Sequence, residues 1–77
     1  MSIRQTKVYK EMNSYHACEI AEGFGSGENA TEREQEAAWQ FLVDIRADRW
    51  LQGWFGRTMA DLVRNGVIKP PLTKKRR

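Results

Sequence analysis

The fold is decided by residues 50–68, which read WLQGWFGRTMADLVRNGVI. At about 100° per residue, the apolar residues of this stretch recur with the spacing of a buried helical face. The Asn65-Gly66 pair, followed by two apolar residues, is typical of a left-handed helix end onto which an apolar side chain folds back. The stretch therefore predicts an amphipathic helix that runs from Trp50 to Asn65-Gly66. Its predicted buried face consists of Leu51, Phe55, Thr58, Met59 and Leu62.

Three small residues, Gly53, Gly56 and Ala60, share a neighbouring strip of this predicted helix. Interior glycines cost about 1 kcal/mol each relative to alanine, so the packing should compensate for them. We expect the backbone of a neighbouring helix to approach this strip closely. A kink or break between Gly53 and Gly56 is the alternative.

A second helix is predicted to start at Glu32, because Thr31 and Glu34 have the spacing of a capping box. The short segment Arg46-Ala47-Asp48 predicts a tight connection, in which Asp48 caps the Trp50 helix and the two helices form a hairpin. The second helix has two apolar faces and is predicted to be central. One face carries Ala38, Phe41, Leu42 and Ile45, and the other carries Trp39 and Val43.

The first helix is predicted over Lys7 to Glu22, with a weak point at Asn13-Ser14, so that Ser14 is an alternative start. The glycine-rich residues 22–30 predict a loop. A chain of 77 residues forms one small domain. The sequence therefore predicts an all-α, three-helix domain over residues 1–68, followed by a mobile basic tail over residues 69–77.

The net charge of +3 is divided unevenly along the chain. Residues 1–68 hold eight Lys/Arg against ten Asp/Glu, so the predicted domain is mildly acidic. The tail carries the basic residues Lys69, Lys74, Lys75, Arg76 and Arg77. These side chains are candidates for contacts with nucleic-acid phosphates, which would be independent of base sequence. A solubilising tail is the equal alternative.

No residue pattern indicates catalysis or metal binding. His16 and Cys18 lie two positions apart, which places them on different faces of a helix and prevents a metal pair or a Cys–His nucleophile. The single cysteine excludes an internal disulfide. Glu32, Glu34 and Glu36 suit the first turn of a helix, where negative charge is favoured by the dipole. We expect neither an enzyme nor a cofactor.

The chain lacks an apolar run of membrane-spanning length and has no apolar core of a signal peptide near Met1. The expected location is therefore the cytoplasm of the host cell, without membrane contact.

The candidate partner-binding surface lies on the Trp50 helix, on the side away from its small-residue strip. Trp and Arg are the residues most enriched in binding hot spots. The alternative is that the first helix covers the tryptophans, and Trp39 packs either within a monomer or across a homodimer. The candidate surface consists of Trp50, Trp54, Arg57, Asp61 and Arg64.

The second half of the chain resembles a family of small uncharacterised phage and plasmid proteins. The family pattern has Thr-Gly where Ile45-Arg46 stands here, and its tryptophan before Leu-Gln-Gly is displaced to Trp50. The resemblance implies an origin on a mobile element and a non-enzymatic role in binding and inhibiting host machinery. The matching residues are Leu42-Val43-Asp44, Leu51-Gln52-Gly53, Phe55-Gly56-Arg57-Thr58, Leu62-Val63, Gly66 and Ile68.

These observations favour a phage-encoded binding protein that inhibits or modulates a host complex, such as RNA polymerase or a CRISPR effector. The alternative is a small DNA-binding regulator of helix-turn-helix type, with residues 32–46 as the supporting helix and the Trp50 helix as the reader. A purely structural subunit is the third option.

Overall fold

The computed structural model of the protein describes residues 3–23, 25, 28–51 and 53–71. Of these residues 69% are helical and none is in a strand, which confirms the all-α prediction. No helix in the described ranges is long and apolar enough to cross a membrane. The α-helices are α1 (Lys7–Lys10), α2 (Ser14–Glu22), α3 (Glu32–Asp44) and α4 (Gly53–Arg64), with 3-10 helices at Ile3–Gln5 and Ala47–Arg49.

The first predicted helix is divided into α1 and α2. The side-chain oxygen of Asn13 accepts a hydrogen bond from the His16 amide at 2.8 Å and so caps α2. At the other end, Gly23 adopts a left-handed conformation with φ of 81°. The alternative start at Ser14 is therefore correct for the longer of the two helices.

Helix α3 is central, as predicted, and packs most extensively against α2. The Thr31 hydroxyl accepts from the Glu34 amide at 3.1 Å, and the Glu34 carboxylate accepts from the Thr31 amide at 2.8 Å. The predicted capping box is thus confirmed. The apolar residues of α3 that are buried in the core are Ala37, Ala38, Leu42 and Val43.

The connection between α3 and α4 differs from the predicted tight hairpin. Arg46 adopts a left-handed conformation with φ of 58°, and the chain then forms the 3-10 helix Ala47–Arg49. Trp50 follows in a non-helical conformation, so α4 begins only at Gly53. The prediction that Asp48 caps a helix starting at Trp50 is therefore wrong, because a tighter helical turn takes up these residues.

The glycine strip also differs from the prediction. Among the described residues, an added Cβ at Gly53 would meet only Arg57 Nη1 within 4 Å, at 3.5 Å, so no described neighbouring helix approaches Gly53. Gly53 is instead the first residue of α4, and the helix runs without interruption through Gly56, so the alternative of a break between the two glycines is wrong as well. Aromatic side chains from α3 and α4 lie between the two helices, with Trp39 and Phe55 ring centroids 5.9 Å apart.

The end of α4 is as predicted. Gly66 is left-handed, with φ of 78°. The Val67 amide donates to the Leu62 carbonyl at 2.9 Å, and the Gly66 amide donates to the Val63 carbonyl at 3.0 Å. This is the hydrogen-bond pattern of a Schellman motif. Ile68 then folds back into the core and is 4% exposed.

Replacing Thr31 with alanine should lower the free energy of unfolding by about 1 kcal/mol, because the Glu34 amide loses its acceptor. In a domain of this size we expect the melting temperature to fall by about 4–8 °C. Ser14→Ala is the matched control, since the α2 cap is Asn13 and not the serine hydroxyl. An equal loss in both variants, measured by circular dichroism, would contradict this account of the cap.

Gly53→Ala should be tolerated and should stabilise the protein by about 0.4–1 kcal/mol, because alanine restricts the unfolded chain more than glycine does. The contact of its Cβ with Arg57 Nη1 would be an ordinary van der Waals distance. Urea unfolding gives the measurement. A loss of stability would mean that a neighbouring element packs too closely against position 53 to accommodate a Cβ.

Candidate interaction surface

The two tryptophans of the predicted surface differ in position and exposure. Trp50 precedes α4 and is 56% exposed. Trp54 is half-buried, with its ring stacked on Phe55 at a centroid distance of 4.0 Å and edge-on to Trp39 at 6.3 Å. Trp39 of α3 therefore covers part of Trp54. These contacts also place Trp39 within the monomer's aromatic cluster.

Arg57 of the predicted surface lies beside Gly53 of the small-residue strip, which corrects its expected position on the side away from that strip. Arg57 is exposed, and its guanidinium extends towards Gly53. Arg64 donates to Asp61 at 2.7 Å in an ion pair that is largely exposed. Such a pair contributes little to stability, about 0–1 kcal/mol.

An open apolar groove, with a volume of about 350 Å³, lies between the end of α3 and α4. Val43 and Met59 form its floor and are almost completely buried. The volume is near the lower end of the roughly 300–1,000 Å³ typical of ligand pockets, so the groove is large enough for one or two side chains. We call this feature the α3/α4 groove, and its lining is Val43, Arg46, Gly56, Met59, Ala60, Val63, Arg64 and Pro71.

The groove stays open because α4 places its smallest residues along it. Gly56 and Ala60 are four positions apart and lie on the same side of the helix, where neither projects more than a methyl group. On the other side of α4, Trp54 occupies the space towards α3 through its contact with Trp39. One edge of the α3–α4 junction is thus filled by aromatic rings, and at the other edge the described residues leave a groove.

A polar network fixes the end of the groove formed by Pro71. The carboxylate of Asp44 accepts two hydrogen bonds from Arg4, both at 2.8 Å, and one from the Tyr9 hydroxyl at 2.6 Å. Arg4 also donates to the Pro70 carbonyl at 2.7 Å. The amino-terminal segment, α3 and the segment after α4 therefore meet at one carboxylate.

Gln40 extends this network to the main chain of Lys69. The completely buried side chain accepts from the Lys69 amide at 2.8 Å and donates to its carbonyl at 2.9 Å. It also donates weakly to Asp44 at 3.3 Å. Both main-chain groups of one residue are thus satisfied by one amide side chain, which holds the chain in register as it approaches the groove.

This finding differs from the expectation that the mobile tail begins at Lys69. Proline cannot donate a main-chain hydrogen bond, but its carbonyl still accepts one, and Arg4 uses that of Pro70. The folded part of the chain therefore continues past Ile68 to at least Pro71. The remaining tail residues proposed for phosphate contact, Lys74, Lys75, Arg76 and Arg77, lie outside the described residues.

The electrostatics of the network favour an ionised Asp44. Burial of this carboxyl raises its pKa, but hydrogen bonds from Arg4 and Tyr9 and the charge of Arg4 outweigh that effect, and the net pKa is lowered. For Tyr9, burial and the hydrogen bond to Asp44 raise the pKa to about 12. The pair therefore exists as a carboxylate and a neutral phenol at neutral pH.

The α3/α4 groove differs in charge from the other depressions of the surface. Its described lining contains two arginines and no carboxylate. Other depressions border Glu36, and two of them also border Glu32, near the start of α3. In the described ranges, no group of three or more His, Cys, Asp or Glu side chains is arranged to hold a metal ion.

The connection between α3 and α4 also bears on the helix-turn-helix alternative. A helix-turn-helix joins its helices by a turn of about three or four residues. Here residues 45–52 separate the helices, with a 3-10 helix among them. The spacing assumed for a supporting helix and a reader is therefore not present.

No protein-family model, curated protein or solved structure matches this chain. The resemblance to small phage and plasmid proteins remains a prediction.

The buried Gln40 could be recognised from the sequence pattern, whereas the partner of Asp44 and the α3/α4 groove could not. Gln40 is a polar residue among the buried positions of α3, one turn before Asp44, and that pattern could have indicated a buried polar network. The partner of Asp44 had no such signal, because Arg4 is 40 positions away. The α3/α4 groove was not predicted, and the sequence pattern also placed the start of α4 at Trp50 instead of Gly53.

Tyr9 should titrate with a pKa near 12 in the folded protein, which can be measured by ultraviolet absorbance in a Tyr15→Phe background. The folded pKa of Tyr9 lies above the unfolded value of about 10. The stabilisation that the neutral Tyr9 hydroxyl contributes is therefore complete below pH 10 and is lost as the pH rises towards 12. Tyr9→Phe should abolish this part of the alkaline loss of stability. A Tyr9 pKa near 10 would contradict the hydrogen bond to Asp44.

Proposed function

We propose that this protein is a small binding module, carried by a phage or another mobile element, that inhibits or modulates a host macromolecular complex through protein–protein contacts. Its place of action would be the host cytoplasm, and RNA polymerase and CRISPR effectors are examples of such complexes. The resemblance of residues 42–68 to small phage and plasmid proteins supports the mobile origin.

The single observation that carries the proposal is the α3/α4 groove. An apolar concavity with a rigid floor of Val43 and Met59 suits an inserted side chain, which is how hot spots of protein interfaces are built. The small residues Gly56 and Ala60 leave room for that side chain. Arg46 and Arg64 at the rim add polar groups of the kind that surround such hot spots.

Protein contact suits this groove better than nucleic-acid contact. Base recognition needs hydrogen-bond donors and acceptors directed at base edges, and the groove offers mainly aliphatic surface. The exposed face of α4 has Arg57 and Arg64, but Asp61 pairs with Arg64 and would repel phosphates. The α3/α4 groove thus favours the protein-binding role over the DNA-binding alternative.

The test is an affinity capture from a bacterial host lysate, with and without nuclease, using the wild type and a variant with a filled groove. Ala60→Tyr places a ring over the groove from an exposed position, so the melting temperature should hardly change. We expect capture of the partner to fall about tenfold or more, since a central hot spot is removed. Nuclease should have no effect on capture by the wild type.

The matched control is Arg57→Tyr, which adds the same ring to an exposed position of α4 that does not line the groove. It should capture the partner as the wild type does. Equal capture by Ala60→Tyr and the wild type would reject the groove as the binding surface. Loss of every captured protein on nuclease treatment would favour the DNA-binding alternative instead.

A further inference from the structure

We infer that a second groove, near the start of α3, binds an arginine side chain in a basic segment of a partner protein. It shares no described lining residue with the α3/α4 groove, so this inference goes beyond the proposed function. We call it the Trp39 groove. Its walls include Glu32, Glu36 and Trp39 of α3, Leu62 of α4 and Val67 after α4.

The first argument is the charge of the Trp39 groove. Glu32 and Glu36 are one turn apart on the same face of α3, and no described lining residue of the groove is basic. Glu34 is engaged in the capping box, whereas no partner within the described part of the chain pairs with the carboxylates of Glu32 and Glu36. The helix dipole offsets only about half a unit charge at this end of α3. The two carboxylates therefore leave the groove negative and able to accept hydrogen bonds from a cation.

The second argument is the aromatic wall of the groove. Trp39 is half-buried, and its ring is held by Phe55 at a centroid distance of 5.9 Å and by Trp54 at 6.3 Å. A ring fixed by two neighbours loses little side-chain entropy on binding. A guanidinium is attracted to a tryptophan face and stacks on it, which a lysine ammonium does less often. The wall therefore favours arginine among the cations.

The third argument is the match between this lining and one arginine in a peptide. Arginine has an apolar stem and a charged head, so Trp39 and Leu62 can contact the stem while the carboxylates accept from the guanidinium. The groove has a volume of about 410 Å³, which is within the roughly 300–1,000 Å³ typical of ligand pockets. Val67 is 51% exposed, so an apolar residue next to the arginine gains by covering it.

Other classes of ligand fit this groove less well. A small polyamine has no apolar group to cover Val67 beside its charged nitrogens. A nucleic acid would bring phosphates towards Glu32 and Glu36, which repel them. A basic protein segment satisfies the carboxylates, the aromatic ring and the exposed valine together.

The experiment uses a matched pair of short synthetic peptides with a central leucine. Arginines flank the leucine in one peptide, and citrullines, which have nearly the same shape without the charge, flank it in the other. Each peptide is titrated into the isotopically labelled full chain and followed by amide and indole N–H chemical shifts. The arginine peptide should bind about tenfold more tightly than the citrulline peptide, and its affinity should fall as salt is added.

The indole signals locate the peptide on the surface. The arginine peptide should shift the indole N–H of Trp39 and the amides of Glu36 and Val67. The indole of Trp50, which does not line the Trp39 groove, should stay unchanged. A shift at Trp50 without one at Trp39 would overturn the inference, as would equal binding of the two peptides or no binding of either.

Three variants define the origin of the effect. Glu36→Gln should weaken binding of the arginine peptide by about tenfold, because a carboxylate is lost from the groove. Glu22→Gln removes the same charge from an exposed position of α2 and should change the affinity by less than about twofold. Ala60→Tyr, which fills the α3/α4 groove, should leave the affinity unchanged. Equal losses in the two glutamate variants would show only general charge attraction and would overturn the inference, and a loss in Ala60→Tyr would do so by placing the peptide in the α3/α4 groove.

Other occupants of the Trp39 groove would give different results. If spermidine shifted the same signals with the affinity of the arginine peptide, the groove would be a site for small cations. Shifts with protein concentration alone would identify a second copy of the chain. Tighter binding of the arginine peptide by K74Q/K75Q/R76Q/R77Q would identify the chain's own tail as a competitor. Each of these three results would overturn the inference, and none of them bears on capture of a partner through the α3/α4 groove.

Discussion

One carboxylate, that of Asp44, holds together three parts of the chain that are far apart in sequence. Its side chain is only 6% exposed, and it accepts from Arg4 near the amino end and from Tyr9 on α1. Removing one partner of a buried ion pair leaves an uncompensated charge, which typically costs about 3–5 kcal/mol. Because Arg4 also binds the Pro70 carbonyl, the same interaction places Pro71 at the groove. The candidate interaction surface therefore depends on a contact that lies outside it.

The α3–α4 junction shows how side-chain size determines where a small domain is closed and where it is open. On one edge, Trp39, Trp54 and Phe55 fill the space with rings whose centroids are 4.0–6.3 Å apart. On the other edge, Gly56 and Ala60 supply too little volume to reach Val43. The aromatic rings occupy the space between the two helices at that edge. The groove is the geometric consequence of combining these two edges on one helix.

The features that sequence alone could predict are those fixed by local chemistry. The Thr31–Glu34 capping box and the Gly66 helix end each depend on a few adjacent residues, and both lie where the pattern placed them. The start of α4 depended on a competition between helix and 3-10 geometry after Arg46, and periodicity alone could not decide it. Trp50, which the pattern placed inside this helix, precedes it in the structure. Trp50 and Trp54 are therefore not neighbours on one helical face, although both remain in the candidate partner-binding surface.

A chain of this length gains little from its own core, so an open apolar groove has an energetic consequence. Val43 and Met59 belong to the core and also form the floor of the groove, so anything that covers them adds packing to the same cluster. A ligand that binds only the folded state stabilises it by RT ln(1 + [L]/Kd), about 2.7 kcal/mol at a hundredfold excess over Kd. For a marginally stable domain that is a substantial share of the total. Binding at the groove and stability of the fold are therefore coupled through these two side chains.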